Sequence, residues 1–117
     1  MASLPFKISD SRGHEVSGLL YLEDEFLVFE VQVRKWGLYE EPREKVKVEY
    51  GALDQVRFKP GFFKDHVYVV PKRTALLEAI PGSHEGEIDL LVAKRYRDQA
   101  LQFVSDVLHR KQRQQAG

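Results

Sequence analysis

Apolar and polar residues alternate along most of this chain, and this alternation constrains the fold more than any other feature. In the stretch 25–34 the apolar residues Leu27, Phe29, Val31 and Val33 fall on one face and Glu30, Gln32 and Arg34 on the other, and the pattern returns in 44–50 and 54–59. Successive side chains of a strand point to opposite faces of a sheet. A period of two with one polar face therefore predicts half-buried antiparallel strands.

The same reasoning predicts four more short strands, which lie at residues 6–9, 16–22, 66–70 and 87–92. The segment 74–80 fits either a short strand or a turn of helix. Connections between these segments are short, and no segment of helical length separates the strands. This argues against parallel βαβ units and favours a sandwich or barrel.

The spacing of apolar residues becomes helical near residue 93. We predict a helix that begins between Arg95 and Asp98, packs on the sheet and frays after Lys111. On this basis 1–113 is predicted to be a single domain and 114–117 a disordered tail. The apolar stripe consists of Tyr96, Ala100, Phe103 and Val107, widened by Leu101, Val104 and Leu108. We expect the last three to be buried against the barrel.

Three stretches carry a family resemblance. In "SGLLYLEDEFLVFEV" a polar turn joins two apolar strands, in "VEYGALDQVRF" a corner with Leu53 joins two more, and "GEIDLLVAKRYRDQALQFVSDVL" runs from a strand through basic residues into a helix. Over 16–108 the chain resembles GRAM and bacterial pleckstrin-homology-like domains. The resemblance implies a mainly β fold, an antiparallel barrel of about seven strands capped by one C-terminal helix. It also implies binding of lipids, peptides or proteins.

Composition excludes several classes of function. The chain has no cysteine, so disulfides, thiolate zinc sites and a cysteine nucleophile are excluded. Its formal net charge of zero argues against a nucleic-acid partner. No apolar run reaches the roughly 20 residues of a membrane span, and the N-terminus lacks a signal-peptide pattern. We predict a cytoplasmic protein without a transmembrane segment.

Motifs for catalysis or metal binding are weak. The histidines His14, His66, His84 and His109 do not pair at metal-ligand spacing, and "HEGE" lacks the second histidine of a helical zinc motif. The glycines form no phosphate-binding motif. We therefore predict no catalytic residue, cofactor or metal. A small enzyme with a dispersed active site remains an alternative, because catalytic groups assemble in space.

Basic residues are concentrated in two segments. Residues 57–73 contain five basic residues with Asp65 as the single acid, and 94–113 is also predominantly basic. These side chains are either ordinary outward positions or a surface that binds anions. The loop that binds phosphoinositides in the resembled family is basic, whereas here it offers only Lys7, Arg12 and His14. An anionic-lipid or other anion-binding module is accordingly an alternative.

The stretch "RFKPGFFKDHVYVV" holds the candidate binding site. Pro60 and Gly61 break the strand pattern, because proline lacks a donor and glycine permits positive φ. Consecutive residues of an extended chain face opposite ways, so we predict that either Phe62 or Phe63 closes the barrel and the other is exposed. The alternative is that local bending buries both rings.

A loop at 35–43 adds further aromatic residues. Trp36 and Tyr39 either pack over the barrel rim or join the exposed phenylalanine in a contact patch. We predict a non-catalytic binding or scaffolding module that acts through a protein partner or through self-association. The candidate contact residues are Trp36, Tyr39, Lys59, Phe62, Phe63 and Lys64.

Overall fold

Antiparallel strands make up most of the fold, as the alternation predicts. The structure is a computed structural model that describes residues 3–9, 14–35, 39–40, 43–78, 80 and 86–116. A helix, α1, spans Arg97–Ala116 and follows a 3₁₀ turn at Lys94–Tyr96. The strands are β1 (Leu4–Ser9), β2 (His14–Leu22), β3 (Phe26–Lys35), β4 (Tyr39–Glu40), β5 (Glu44–Glu49), β6 (Leu53–Lys59), β7 (Asp65–Pro71) and β8 (Ile88–Val92).

The strands form one sheet in the order β5-β3-β2-β1-β8-β7-β6, and the two-residue β4 pairs with β3 beyond β5. Each pairing is antiparallel, and β1 joins the two halves by pairing with β2 along its length and with β8 at Lys7. The sheet curls into a half-barrel, since twisted strands coil a long sheet. The predicted mainly β, pleckstrin-homology-like barrel with a C-terminal helical cap is confirmed.

The core lies inside this curl and is filled by the inward positions of the strands. In β7 the buried and partly exposed positions alternate strictly. A ring contact between Phe6 and Phe29 crosses the core at 6.5 Å, edge to face. Gly18 lies opposite Phe6, and a Cβ there would overlap the carbonyl of Glu30 and crowd that ring. The ambiguous segment after β7 forms a 3₁₀ turn, Thr74–Leu77, that buries Leu77.

The helix packs through a narrower arc than the one we predicted. Its start at Arg97 and the burial of Val104 are as expected, but Leu101 and Leu108 are 46% and 39% exposed. Each of these leucines follows a buried residue by one position and is therefore rotated by about 100° around the helix axis. The buried face consists of Ala100, Phe103, Val104 and Val107.

The last turns of α1 also differ from the predicted disordered tail. The helix continues to Ala116, and the side chain of Gln114 explains why. Its Nε2 donates to the carbonyl of Glu25 at 3.0 Å, and its Oε1 accepts from the backbone N–H of Gly51 at 2.7 Å. Arg110 Nη1 donates to the carbonyl of Glu23 at 2.9 Å. These contacts attach the end of the helix to the β2–β3 turn and to the β5–β6 corner.

Candidate functional site

The connection between β6 and β7 displays two phenylalanine rings to solvent. Lys59 and His66 are the last paired residues of the two strands, and residues 60–64 form the turn. Phe62 is 86% exposed and Phe63 is 83% exposed. Their ring centroids lie 4.7 Å apart in an edge-to-face arrangement. We call Lys59, Phe62, Phe63 and Lys64 the aromatic tip; both of its lysines are exposed.

The prediction that one of the two rings closes the barrel end is wrong. The alternative that both rings are buried is wrong as well. The prediction assumed that the chain stays extended through Phe62 and Phe63, whereas residues 62–64 form a bend. In a bend, neighbouring side chains are not forced to opposite faces. The rings contact each other instead of dividing between core and solvent.

Gly61 is required at the tip for a reason that we did not predict. Gly86 is the glycine with positive φ among the described residues, so Gly61 does not depend on a left-handed conformation. A Cβ at Gly61 would overlap the carbonyl oxygen of Lys64 and would lie 3.2 Å from the ring of His66. Glycine is needed because the two sides of the turn approach each other closely.

A buried carboxylate anchors the turn to the start of α1. Asp65 is fully buried and accepts two hydrogen bonds from Arg97, from Nε at 2.9 Å and from Nη2 at 2.8 Å. It also accepts the backbone N–H of Gly61 at 3.2 Å. The hydrogen bonds from Arg97 are the main reason that the pKa of Asp65 falls from its ordinary value of 3.8 to about 2. The carboxylate therefore stays ionised at neutral pH.

A second contact from the helical end reinforces this anchor. Lys94 Nζ donates to the carbonyl of Gly61 at 2.5 Å. The turn is thus held through the backbone N–H and the carbonyl of Gly61 and through the carboxylate of Asp65. The phenylalanine side chains make none of these bonds. Sequence reasoning missed this network. The available signal was Asp65 itself, the single acid in a segment with five bases.

The other two predicted contact residues are Trp36 and Tyr39. Trp36 lies outside the described residues. Tyr39 belongs to the short strand β4, and its side chain lies outside the described part as well. The structure therefore brings together Lys59, Phe62, Phe63 and Lys64. That Trp36 and Tyr39 join them remains a prediction.

The histidine with the most defined surroundings lies on β7, next to the tip. His66 Nδ1 is 2.8 Å from Asp89 Oδ1, and its ring stacks on Tyr68 with centroids 5.7 Å apart. A histidine–carboxylate pair orients a general base when a nucleophile lies next to it. Within the described part of the chain, no serine or threonine hydroxyl is hydrogen-bonded to His66. We read the pair as a polar contact on the outer face of the sheet.

Other features bear on the excluded classes of site. Among the described residues, no group of three or more histidine or acidic side chains is placed to hold a metal ion. None of the described helical segments is long and apolar enough to cross a membrane.

Comparison with known proteins gives no match: no family model, no curated protein and no solved structure is significantly similar to the chain. The resemblance to GRAM and pleckstrin-homology-like domains thus remains a prediction at the level of family.

Proposed function

We propose that this protein is a non-catalytic binding module whose aromatic tip contacts another protein. The observation that carries the proposal is the near-complete exposure of Phe62 and Phe63 on a turn that is bonded firmly to the fold. Large apolar side chains exposed side by side are typical of interaction sites. Aromatic residues are also enriched among those that contribute most to binding.

The energetics support a contact role. Transfer of a phenylalanine side chain from water into an apolar environment is favourable by about 1.5–3 kcal/mol. In the isolated chain, Phe62 and Phe63 gain little of this because both remain in water. A partner that covers both rings would recover it. Since Asp65 and Arg97 already fix the turn, little conformational entropy would be lost on binding.

A binding role is favoured over catalysis because the most distinctive surface is apolar. Catalytic sites combine titratable groups with shifted pKa values in a cleft. The strongly lowered pKa here belongs to Asp65, whose burial and bonds to Arg97 make it an anchor. The adjacent rings of Phe62 and Phe63 offer contact area and no proton-transfer chemistry.

The test is affinity capture with the full chain as bait, followed by quantitative mass spectrometry. We expect Phe62→Ala and Phe63→Ala each to reduce the captured partner at least fivefold, since truncating a residue that dominates a binding contact costs more than about 1 kcal/mol. The matched control is the double variant Leu101→Ala, Leu108→Ala, which removes exposed apolar surface from the helix. It should capture as much partner as the unmodified chain. Equal capture by all variants would contradict the proposal.

Self-association needs a separate measurement, because a second copy of the chain is also a protein partner. Sedimentation velocity over a range of concentrations should show whether the chain forms oligomers. If it does, both phenylalanine variants should shift the equilibrium towards monomer and the leucine control should not. Oligomers that persist in the phenylalanine variants would place the self-contact elsewhere on the molecule.

A further inference from the structure

A groove on the outer face of the sheet begins at the aromatic tip. It has a volume of about 440 Å³ and is lined by outward side chains of β1, β2 and β3, by the end of β8 and by the 3₁₀ turn before α1. Lys64 of the tip also lines it and directly follows Phe63. A partner segment that contacts the rings can therefore continue into the groove without a gap. This volume falls in the range of ligand-binding clefts.

The charges of the groove are strongly biased to one sign. Four cationic side chains line it, Lys7, Arg43, Lys64 and Arg95, against one carboxylate, Glu30. Arg43 Nη1 lies 3.4 Å from Glu30 Oε1, so the single acid already has a counter-ion. The other three cations form no ion pair with described residues. Within the described ranges, three positive charges therefore have no acidic partner.

The floor of the groove includes apolar side chains. Leu19 lies on β2, Leu91 on β8 and Tyr96 in the turn before the helix, and all three are partly exposed. Arg95 stacks over the Tyr96 ring at 5.0 Å, which places a cation directly beside this floor. A ligand that fills the groove should thus combine negative charge with apolar groups.

We propose that the groove binds an extended acidic segment of a partner protein that presents both carboxylates and apolar side chains to it. The inference rests on the proposed function, in which the tip contacts a protein. Carboxylates would pair with Lys7, Lys64 and Arg95, and apolar side chains would cover the floor. The cations belong to three separate elements, β1, the aromatic tip and the 3₁₀ turn before α1, and such an origin suits charges distributed along a chain. A single phosphate group needs cations that converge on one point.

The experiment is a titration of the isotope-labelled full chain, followed by two-dimensional NMR. The probe is the acetylated and amidated peptide EELDEL, and the control peptide is QQLNQL, which has the same shape and apolar groups. We expect EELDEL to shift the backbone amides of Ser17, Leu19, Leu91 and Tyr96. Binding should weaken severalfold as salt rises from about 50 to 200 mM, because salt screens exposed charges. QQLNQL should bind at least tenfold more weakly.

Paired charge reversals locate the site. The double variant Lys7→Glu, Arg95→Glu should weaken EELDEL binding at least tenfold. The control is Lys72→Glu, Arg73→Glu, which changes the net charge equally at exposed residues that do not line the groove. It should change binding less than twofold. Equal losses in the two variants, equal binding of both peptides, or no shifts at millimolar peptide would each overturn the inference.

Two further arms separate this inference from its competitors. Vesicles that contain phosphatidylserine should not sediment the protein; if they do, and EELDEL leaves the groove amides unshifted, the ligand is a membrane and the inference is wrong. The phenylalanine variants used for affinity capture test the tip independently. If they lose their partner while EELDEL misses the groove, the inference fails and the proposed function stands.

Discussion

Two hairpin turns are held by opposite ends of α1, and they differ in what they present to solvent. At the β2–β3 turn, Arg110 and Gln114 donate to backbone carbonyls, and the side chains of the turn itself are acidic. At the aromatic tip, Arg97 binds the buried Asp65, and the side chains presented are two phenylalanines. Both turns are fixed by polar contacts to the same helix.

The comparison shows that neither hairpin turn is held by aromatic side chains of the turn itself. The acidic turn is fixed by hydrogen bonds that its carbonyls accept, and the tip is fixed by the hydrogen bonds of Gly61 and Asp65. Phe62 and Phe63 are therefore not needed to close their turn. Because both rings are exposed, the isolated chain gains little free energy from burying them. This contrast supports a contact role for the tip.

The largest effect should come from a charge under the centre of α1, which would release both turns at once. Val104→Asp places a carboxylate against the sheet and should lower the free energy of unfolding by about 3 kcal/mol or more. The control is Leu101→Asp on the exposed arc of the same helix, which should cost less than about 1 kcal/mol. Urea denaturation measures both. Similar costs would mean that the helix packs through a different arc.

The next largest effect should release the tip alone. Arg97→Ala leaves the buried Asp65 without its main partner and should lower the free energy of unfolding by about 2–4 kcal/mol. The expected loss is below that for a fully buried pair because the Arg97 side chain is 40% exposed. Arg95→Ala, two positions earlier and exposed, is the matched control and should cost less than about 0.5 kcal/mol. Comparable losses in the two variants would contradict the anchor.

The same pair predicts a dependence on pH. The pKa of Asp65 in the folded state, about 2, lies below its ordinary value of 3.8. The ionised carboxylate therefore stabilises the fold above about pH 4, and this contribution is lost as the pH falls towards 2. Arg97→Ala should remove most of the dependence in this interval. Thermal melts of both proteins between pH 2 and 5 measure the difference.

A smaller change should loosen the acidic turn and leave the tip intact. The hydroxyl of Tyr50 lies 2.5 Å from the carbonyl of Glu23 and 2.8 Å from that of Phe26. Tyr50→Phe removes this contact and should cost about 1 kcal/mol. Amide hydrogen exchange should rise at residues 23–26 and stay unchanged at 60–65. Tyr68→Phe, on the outer face of the sheet, is the control and should affect neither turn.

The smallest effect on stability is expected at the rings themselves. Phe62→Ala and Phe63→Ala should each change the free energy of unfolding by less than about 0.5 kcal/mol, since little burial is lost. Phe29→Ala, in the core, should lower the free energy of unfolding by about 3–5 kcal/mol and serves as the comparison for a buried ring. A large loss at either tip residue would mean that its ring packs on the barrel.

Sequence reasoning predicted the strands well because alternation along a strand depends only on local geometry. It was less successful for α1, where apolar residues cover more than one arc. Leu101 and Leu108 are as apolar as the residues that pack, and periodicity alone does not rank the two arcs. Ala100 belongs to the predicted stripe and is buried, whereas Leu101 beside it is exposed, because tertiary packing decides which side of the helix faces the sheet.

The candidate site was predicted in part. The segment, its two lysines and its exposed aromatic character follow from the turn residues Pro60 and Gly61 between strand patterns. The bend that exposes both rings depends on the contacts of Asp65 with Arg97, which lies 32 positions further along the chain. The groove joins outward positions of several strands and the start of the helix. The groove exists because the strands pair in a particular order. The pattern of residues within one strand does not specify that order.

The half-barrel does not close, and the seam between its edge strands β5 and β6 has a consequence for aggregation. β5 pairs with β3 and β6 with β7, so the sheet ends in two strand edges, and α1 packs against β6 and the corner that joins the two strands. Strand edges with free backbone groups are templates for pairing with other chains. While the helix is docked, the β6 side of this seam is sheltered. A chain whose helix detaches would expose unpaired backbone groups next to apolar core residues. Such a chain should form insoluble aggregates before it unfolds reversibly.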